Sequence, residues 1–255
     1  MEDAARERFR ASAEAMAART LWSVEQIAPR LRDFAHLRGD ERALDAGTGT
    51  GTFALALAAS VREVVGLDPV SELLAHAQRL AAGRPNVRFV EGDASALPFP
   101  DGSFDVVTCA RTLHHVARPG PLLAELGRVT TSDGTVVVVD QLAVADPSDA
   151  ARHDAIERLR DPSHQRTLAE EEIGSLLKAA GLTVEALETK DEDRELDSFL
   201  DLAACTGPAR DAAVGEVARL VSAGEDAGIA LRRAGGGYAM TVPVGWFRAR
   251  FKTKP

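Results

Sequence analysis

Residues 43–58 read ALDAGTGTGTFALALA: an apolar run carrying Asp45, then glycine at 47, 49 and 51, then alanine alternating with leucine. The first part suits a buried strand and the last a helix, so the glycines fall in the turn that joins them. Without a Cβ, Gly47, Gly49 and Gly51 let the backbone turn sharply and lie close to a ligand. The helix that follows would offer unpaired N–H groups to an anionic part of that ligand, so a nucleotide-like molecule is expected. The spacing is D-x-G-x-G-x-G. A dinucleotide-binding loop would need its third glycine at position 52, which is Thr52.

Outward from this loop, strands and helices alternate. Apolar runs at 42–46, 62–67, 87–90, 104–109 and 134–139 read as strands, and 52–59, 70–82 and 119–129 have helical spacing, with Pro119 and Pro121 tolerated near a helix start. Short connections between them predict an α/β, doubly wound, mostly parallel sheet of Rossmann-like type that binds its ligand at the carboxyl ends of the strands. Ahead of it, 2–19 and 21–37 read as two helices; behind it, 182–190 and 237–251 read as the last two strands, with helices at 195–204 and 208–223 between them. The expected organisation is a single domain. It comprises an N-terminal helical lid (1–38), a cofactor-binding core (39–190), a helical insertion (191–228) and a final strand region (229–255).

Composition narrows the function classes. A chain of 255 residues with 45% hydrophobic content can bury a full core. Cys109 and Cys205 are too few and too far apart for a disulfide framework or a zinc site, and the sequence after Met1 lacks a charged-then-apolar leader, so a cytoplasmic location and no bound metal are expected. No apolar run reaches the ~18 residues of a membrane span. A net charge of −9 opposes binding to nucleic acid.

The segment Asp45 to Gly51 resembles motif I of the class I S-adenosylmethionine-dependent methyltransferases, and three further segments agree with that family in order: VVGLDP after the second strand, FVEGDASALPF after the third and FDVVTCARTLHHV along and after the fourth. The likeness is greatest to the small-molecule enzymes of ubiquinone and menaquinone biosynthesis and covers about residues 40–183. It implies S-adenosylmethionine as cofactor and a seven-stranded sheet closed by an antiparallel last strand. By the same resemblance Asp45 faces the methionine end of the cofactor, Asp68 accepts from both ribose hydroxyls, and Asp93 takes the adenine amine with the Ala94 backbone beside the ring. Thr48, Pro69 and Arg111 complete the expected cofactor set with Gly47, Gly49 and Gly51.

Methyl transfer from a sulfonium needs alignment above all, and a base only where the acceptor must lose a proton. His114 and His115, just after the fourth strand, are the candidates for that base. Phe9 of the first helix and Arg160, His164 and Arg166 of RLRDPSHQR (158–166) are candidate acceptor contacts. Thr167, three residues before Glu170, fits a capping box for the next helix. In FRARFK, Arg248, Arg250 and Lys252 share one strand face and suit a solvated edge. A small-molecule acceptor is expected. The rival is a protein that binds the cofactor but acts as a binding module or catalyses another reaction; a nicotinamide enzyme is disfavoured by Thr52 and by the lack of a Tyr-x-x-x-Lys, since Tyr238 is the one tyrosine.

Overall fold

The computed structural model describes residues 3–251, so Lys252 lies outside the described residues. In chain order the elements are α1 (Asp3–Ala35), β1 (Arg42–Ala46), α2 (Thr52–Ala58), β2 (Glu63–Asp68), α3 (Ser71–Leu80), β3 (Val87–Glu91) and β4 (Phe104–Ala110). After a 3-10 turn at Leu113–His115 come α4 (Pro119–Val129), β5 (Thr130–Gln141), α5 (Pro147–Arg160), α6 (Glu170–Ala179), β6 (Leu182–Glu195), α7 (Leu196–Leu202), α8 (Gly207–Ala223), β7 (Arg232–Ala234) and β8 (Gly237–Phe251).

The sheet runs β3-β2-β1-β4-β5-β8-β6, parallel through β5, with β8 antiparallel between β5 and β6 and the three-residue β7 added to β8. The order reverses between β1 and β4, which puts the ligand crevice of such a sheet beside the glycine loop. Strands β1, β2 and β4 are nearly continuous apolar runs because both faces are covered. One face packs α4 and α6 through Leu122, Leu126, Ile173 and Leu177. The other packs α2 and the C-terminal half of α1 through Phe53, Leu55, Leu31 and Phe34. A separate core joins α5, α7 and α8 to β8 through Ile156, Phe199, Leu200, Val217 and Met240.

Several expectations need correcting. The two N-terminal helices are one, α1, which carries Pro29 inside it. Thr20 does not end a helix; its hydroxyl is within hydrogen-bond distance of the Met16 carbonyl (3.1 Å) and of the Thr50 hydroxyl (2.7 Å). Residues 147–160, which the sequence reading leaves without an element, form α5, started by Asp146, whose carboxylate accepts from Ser148 N and Asp149 N. Thr167 does not cap α6: the N-cap is Ala169, and Thr167 instead donates to Asp154. Strand β6 continues to Glu195, so the insertion becomes helical only from Leu196. Strand β8 is not an edge. Its Arg248 donates to the Phe34 carbonyl (3.0 Å) and Arg250 to Thr135 (2.9 Å). Among the described residues no helix is long and apolar enough to cross a membrane.

Candidate functional site

The loop after β1 is held from below. Gly47 N and Thr48 N both donate to the Leu67 carbonyl, at 2.8 and 2.9 Å, tying the loop to the end of β2. Asp45, sealed from solvent, accepts from Thr48 Oγ1 (2.7 Å), Thr108 Oγ1 (2.7 Å) and Ala54 N (3.0 Å). Asp45 and Thr48 thus brace the loop, and an N–H of the first turn of α2 is capped by Asp45, whose Oδ1 accepts only from Thr108 among the described residues and keeps a second lone pair. Burial pushes Asp45 up to about 6, against the pull of its three hydrogen-bond donors.

The three glycines have different reasons for being glycine. A Cβ at Gly47 would lie 2.5 Å from Thr112 Oγ1, and one at Gly51 3.2 Å from the Ala77 Cβ and 3.3 Å from the Phe89 ring, so these two permit close packing. At Gly49, φ +55°, the nearest atom is the Met16 Cε of α1 at 3.8 Å. A side chain here would meet little, so the glycine answers to backbone conformation more than to packing. Gly49 N donates to Asp68 Oδ2 and Val70 N to Asp68 Oδ1, both at 2.9 Å. Each carboxylate oxygen has a second lone pair for a further donor such as a hydroxyl. Burial foremost, with Asp45 nearby adding to it, raises Asp68 to about 6. Pro69 follows it ahead of α3, whose N-cap is Val70. Asp93 is exposed at the next strand end, held below the usual carboxylate range first by the Ser95 N–H (2.8 Å), while Ala94 beside it is buried. This cradle fits S-adenosylmethionine: an open backbone at Gly49, an acid with spare lone pairs at the second strand end and a third acid beyond it.

Above the loop lies the N-terminal half of α1. Ala13 packs with Val70 and Leu73 of the α3 end, Met16 reaches over Gly49, and Phe9 meets the His115 ring edge-on at 5.0 Å.

The second half of the site is polar. Asp140, at the end of β5, accepts from His114 Nδ1 (2.5 Å), Leu113 N and Gln141 N (both 2.8 Å), which shapes the turn after β4. Burial would raise Asp140, but the charge and hydrogen bond of His114 outweigh it and hold the carboxyl below its usual range. His114 stacks 4.1 Å from His115. His115 Nδ1 is 3.0 Å from Ser163 Oγ, and burial, then the neighbouring His114 and Arg8, hold its imidazole well below the usual histidine range. His164 is pinned in the wall, its Nε2 donating to Asp154 (2.8 Å), with Nδ1 buried and unpartnered.

The structure does not bring all the candidates together. Arg166 is outside the site, paired on the surface with Glu172. Arg111, at φ +53°, gives its guanidinium to Glu192 at 2.5 and 2.7 Å rather than to the glycine loop. Arg160 lies 3.8 Å over Phe199 and donates to its carbonyl and to Glu157. Residues not anticipated from sequence line the same region. Arg194 donates to Gln141 and Glu192, and its burial drags it down to about 10. His153 and Glu157 are buried on one face of α5, with His153 Nε2 3.6 Å from Glu157 Oε1, while His153 Nδ1 and Gln141 Nε2 have no hydrogen-bond partner among the described residues. The spacing of His153, Asp154 and Glu157 was a helical signal, and Asp140 is a strand-end acid like Asp45 and Asp68.

Sequence and fold both have known relatives. The methyltransferase domain family model matches residues 44–138. An uncharacterized methyltransferase of Bacillus subtilis, YcgJ, is 36% identical over 168 residues, 65% of this chain and 66% of that protein. Its crystal structure superposes with a TM-score of 0.79 at 25% identity, over 90% of this chain and 98% of its own. The demethylmenaquinone methyltransferase of Thermus thermophilus is 46% identical over 114 residues, 44% of this chain and 52% of that enzyme, so the match spans about half of it. Phosphoethanolamine N-methyltransferase 2 of Haemonchus contortus, solved with S-adenosylmethionine, shares the fold with a TM-score of 0.58 at 19% identity, over 88% of this chain and 51% of its own.

Proposed function

The chain belongs to the class I S-adenosylmethionine-dependent methyltransferases, and on that premise we propose that it methylates an oxygen or carbon of a small-molecule acceptor that first yields a proton to His115. One observation carries this reading. The half-buried His115 ring lies against Phe9 of α1, His114 and Ser163, is held neutral by its surroundings, and has an Nε2 with no hydrogen-bond partner among the described residues. A neutral imidazole with an open nitrogen is a proton acceptor at physiological pH. When bound, the cofactor supplies an activated methyl group on a sulfonium. The acceptor's O–H or C–H proton would pass to His115 Nε2, leaving an electron pair on oxygen or carbon to take the methyl group, with S-adenosylhomocysteine as the other product. The imidazolium would then return its proton to water.

In this reading Asp68 and the Gly49 backbone hold the cofactor, His114 is fixed by Asp140 as a neighbour that disfavours charge on His115, and Phe9 closes the other side of the ring. The N-terminal half of α1 and the 191–228 segment gate acceptor entry. The proton-bearing acceptor is a phenol, enol or hydroxyquinone, a reading supported by the similarity to demethylmenaquinone methyltransferases, and the protein acts in the cytoplasm on small molecules rather than nucleic acid. The test is incubation of purified protein and S-adenosylmethionine with a panel of phenols, hydroxyquinones, carboxylates and amines. The expected outcome is S-adenosylhomocysteine and a product heavier by one methyl group from the proton-bearing oxygen or carbon acids. Turnover of amines alone would overturn it.

A further inference from the structure

We propose that Arg8, Asp161 and Ser163 form a positioning relay that fixes the tautomer of His115 and makes its readiness depend on docking of α1; this rests on His115 being the base. Ser163 Oγ lies 2.5 Å from Asp161 Oδ1 and 3.0 Å from His115 Nδ1. A carboxylate can only accept, so the single hydroxyl proton of Ser163 goes to Asp161. What the hydroxyl then offers to His115 is a lone pair, and Nδ1 must carry the hydrogen that meets it. The neutral imidazole has one hydrogen, so Nε2 is left as the basic nitrogen.

This chain is anchored at Asp161, and Arg8 holds the far side of that carboxylate. Asp161 is completely buried; Ser163 N donates to its Oδ1 (3.0 Å), and the Arg8 guanidinium lies 2.5 Å from Oδ2 as an ion-pair contact. Burial draws Arg8 down to about 10, which leaves it charged at neutral pH. Arg8 thus meets Oδ2 and leaves Oδ1 to accept from Ser163 Oγ and Ser163 N. Arg8 comes from α1, whereas Asp161 and Ser163 come from the segment after α5. An undocked α1 therefore removes the contact that holds Asp161 in place, and with it the Ser163 lone pair that orients His115. The other groups facing His115 are Phe9 of α1, His114 of its own turn with Asp140 behind it, and His164 of the wall with Asp154 behind it. None of these is bonded to its Nδ1.

The experiment is 15N NMR of histidine-labelled protein without acceptor, with the His115 signals assigned by their loss in His115→Gln. We expect the Nδ1–H tautomer in the native protein and in Ser163→Thr, and a mixed tautomer in Ser163→Ala and in Arg8→Gln. In turnover, Ser163→Ala should lower kcat about 10- to 100-fold with KM little changed, and Ser163→Thr should restore it. An Nε2–H tautomer in the native protein, or one indifferent to Ser163→Ala, overturns the relay. The NMR result is read without catalysis, so it stands or falls apart from the base assignment, which His115→Ala kinetics decide.

Discussion

The two halves of the site are held by opposite means. The cofactor half is built from backbone: Asp45 and Asp68 accept from N–H groups at 54, 49 and 70, and the loop they secure lies within a short stretch of the parallel sheet. The acceptor half is built from charged side chains of segments distant in sequence, with Arg8 on Asp161, Arg111 on Glu192, Arg160 on Glu157 and Arg194 between Glu192 and Gln141. Buried ion pairs add little net stability, yet breaking one by removing a partner is costly. The cofactor half is therefore preformed, while the acceptor half exists only when α1, α5 and the end of β6 are assembled together. The carboxyls show the same contrast. Burial raises Asp45 and Asp68, while the buried Asp140 and Glu157 and the partly buried Asp154 and Glu192 are held down by a cation or histidine beside them.

If the halves are separate in function, changes in one should spare the other. The largest effect is expected from His115→Ala, a loss of about 10²–10⁴ in kcat, with the dissociation constant for S-adenosylhomocysteine unchanged by calorimetry. A matching loss of cofactor affinity would merge the two halves. Next comes Asp68→Ala, which should weaken S-adenosylhomocysteine by about 1.5–3 kcal/mol, the scale of hydrogen bonds to a charged group. Undiminished affinity in that variant would remove Asp68 from the cofactor site.

The same division explains what the sequence made legible. The cofactor half follows from local spacing: a strand, a glycine turn, a helix, and an acid at the next strand end all lie on one stretch of chain. The acceptor half was hidden because its chemistry contradicts its location. Residues 147–160 carry many charges and little apolar periodicity to mark a helix, yet His153 and Glu157 face inward and are buried. DEDRE at 191–195 falls in the expected helical insertion, but as part of an outer strand it pairs regularly with β8, Glu195 opposite Ala239. Arg166 was drawn into the site by its neighbours in sequence, and only the fold turns it to Glu172. Arg8 carried no local signal, because its partner is on a segment that only tertiary structure brings near.

A third, smaller effect uses the raised acids. Asp68 holds its proton up to about 6 in the cofactor-free protein, whereas an unfolded chain releases it near pH ~4. The folded state thus binds more protons across that window, and the stability this group confers is present below it and lost as pH rises through about 6. Ribose hydroxyls donating to Asp68 would favour its charged form, so cofactor binding should expel a proton and strengthen about tenfold from pH 5 to 7. Calorimetry at pH 6 in two buffers of different ionisation heat measures the released proton, and Asp68→Asn should abolish it. The charged acids of the other half should give no such linkage.

The smallest effect tests whether the acceptor half is assembled rather than preformed, and α1 supplies the comparison within one helix. Its C-terminal half is anchored in the main core by Leu31, Phe34 and Ala35, all buried. Its N-terminal half rests on Ala13, the Arg8 ion pair and the shared hydrogen bond of Thr20 with Thr50. A segment held by so few apolar contacts opens at low cost in free energy, and opening exposes backbone to proteases. Trypsin should therefore cut first at the exposed Arg10 and Arg19 and in 191–228, ahead of Arg30. Cofactor with acceptor should slow those cuts roughly two- to fivefold. Arg8→Gln should hasten cutting at Arg10 and Arg19 while leaving Arg62 and Arg88, beside the cofactor half, as resistant as before. Equal rates in free and bound protein, or cuts spread evenly over both halves in Arg8→Gln, would mean that the roof is as rigid as the floor and that no gate exists.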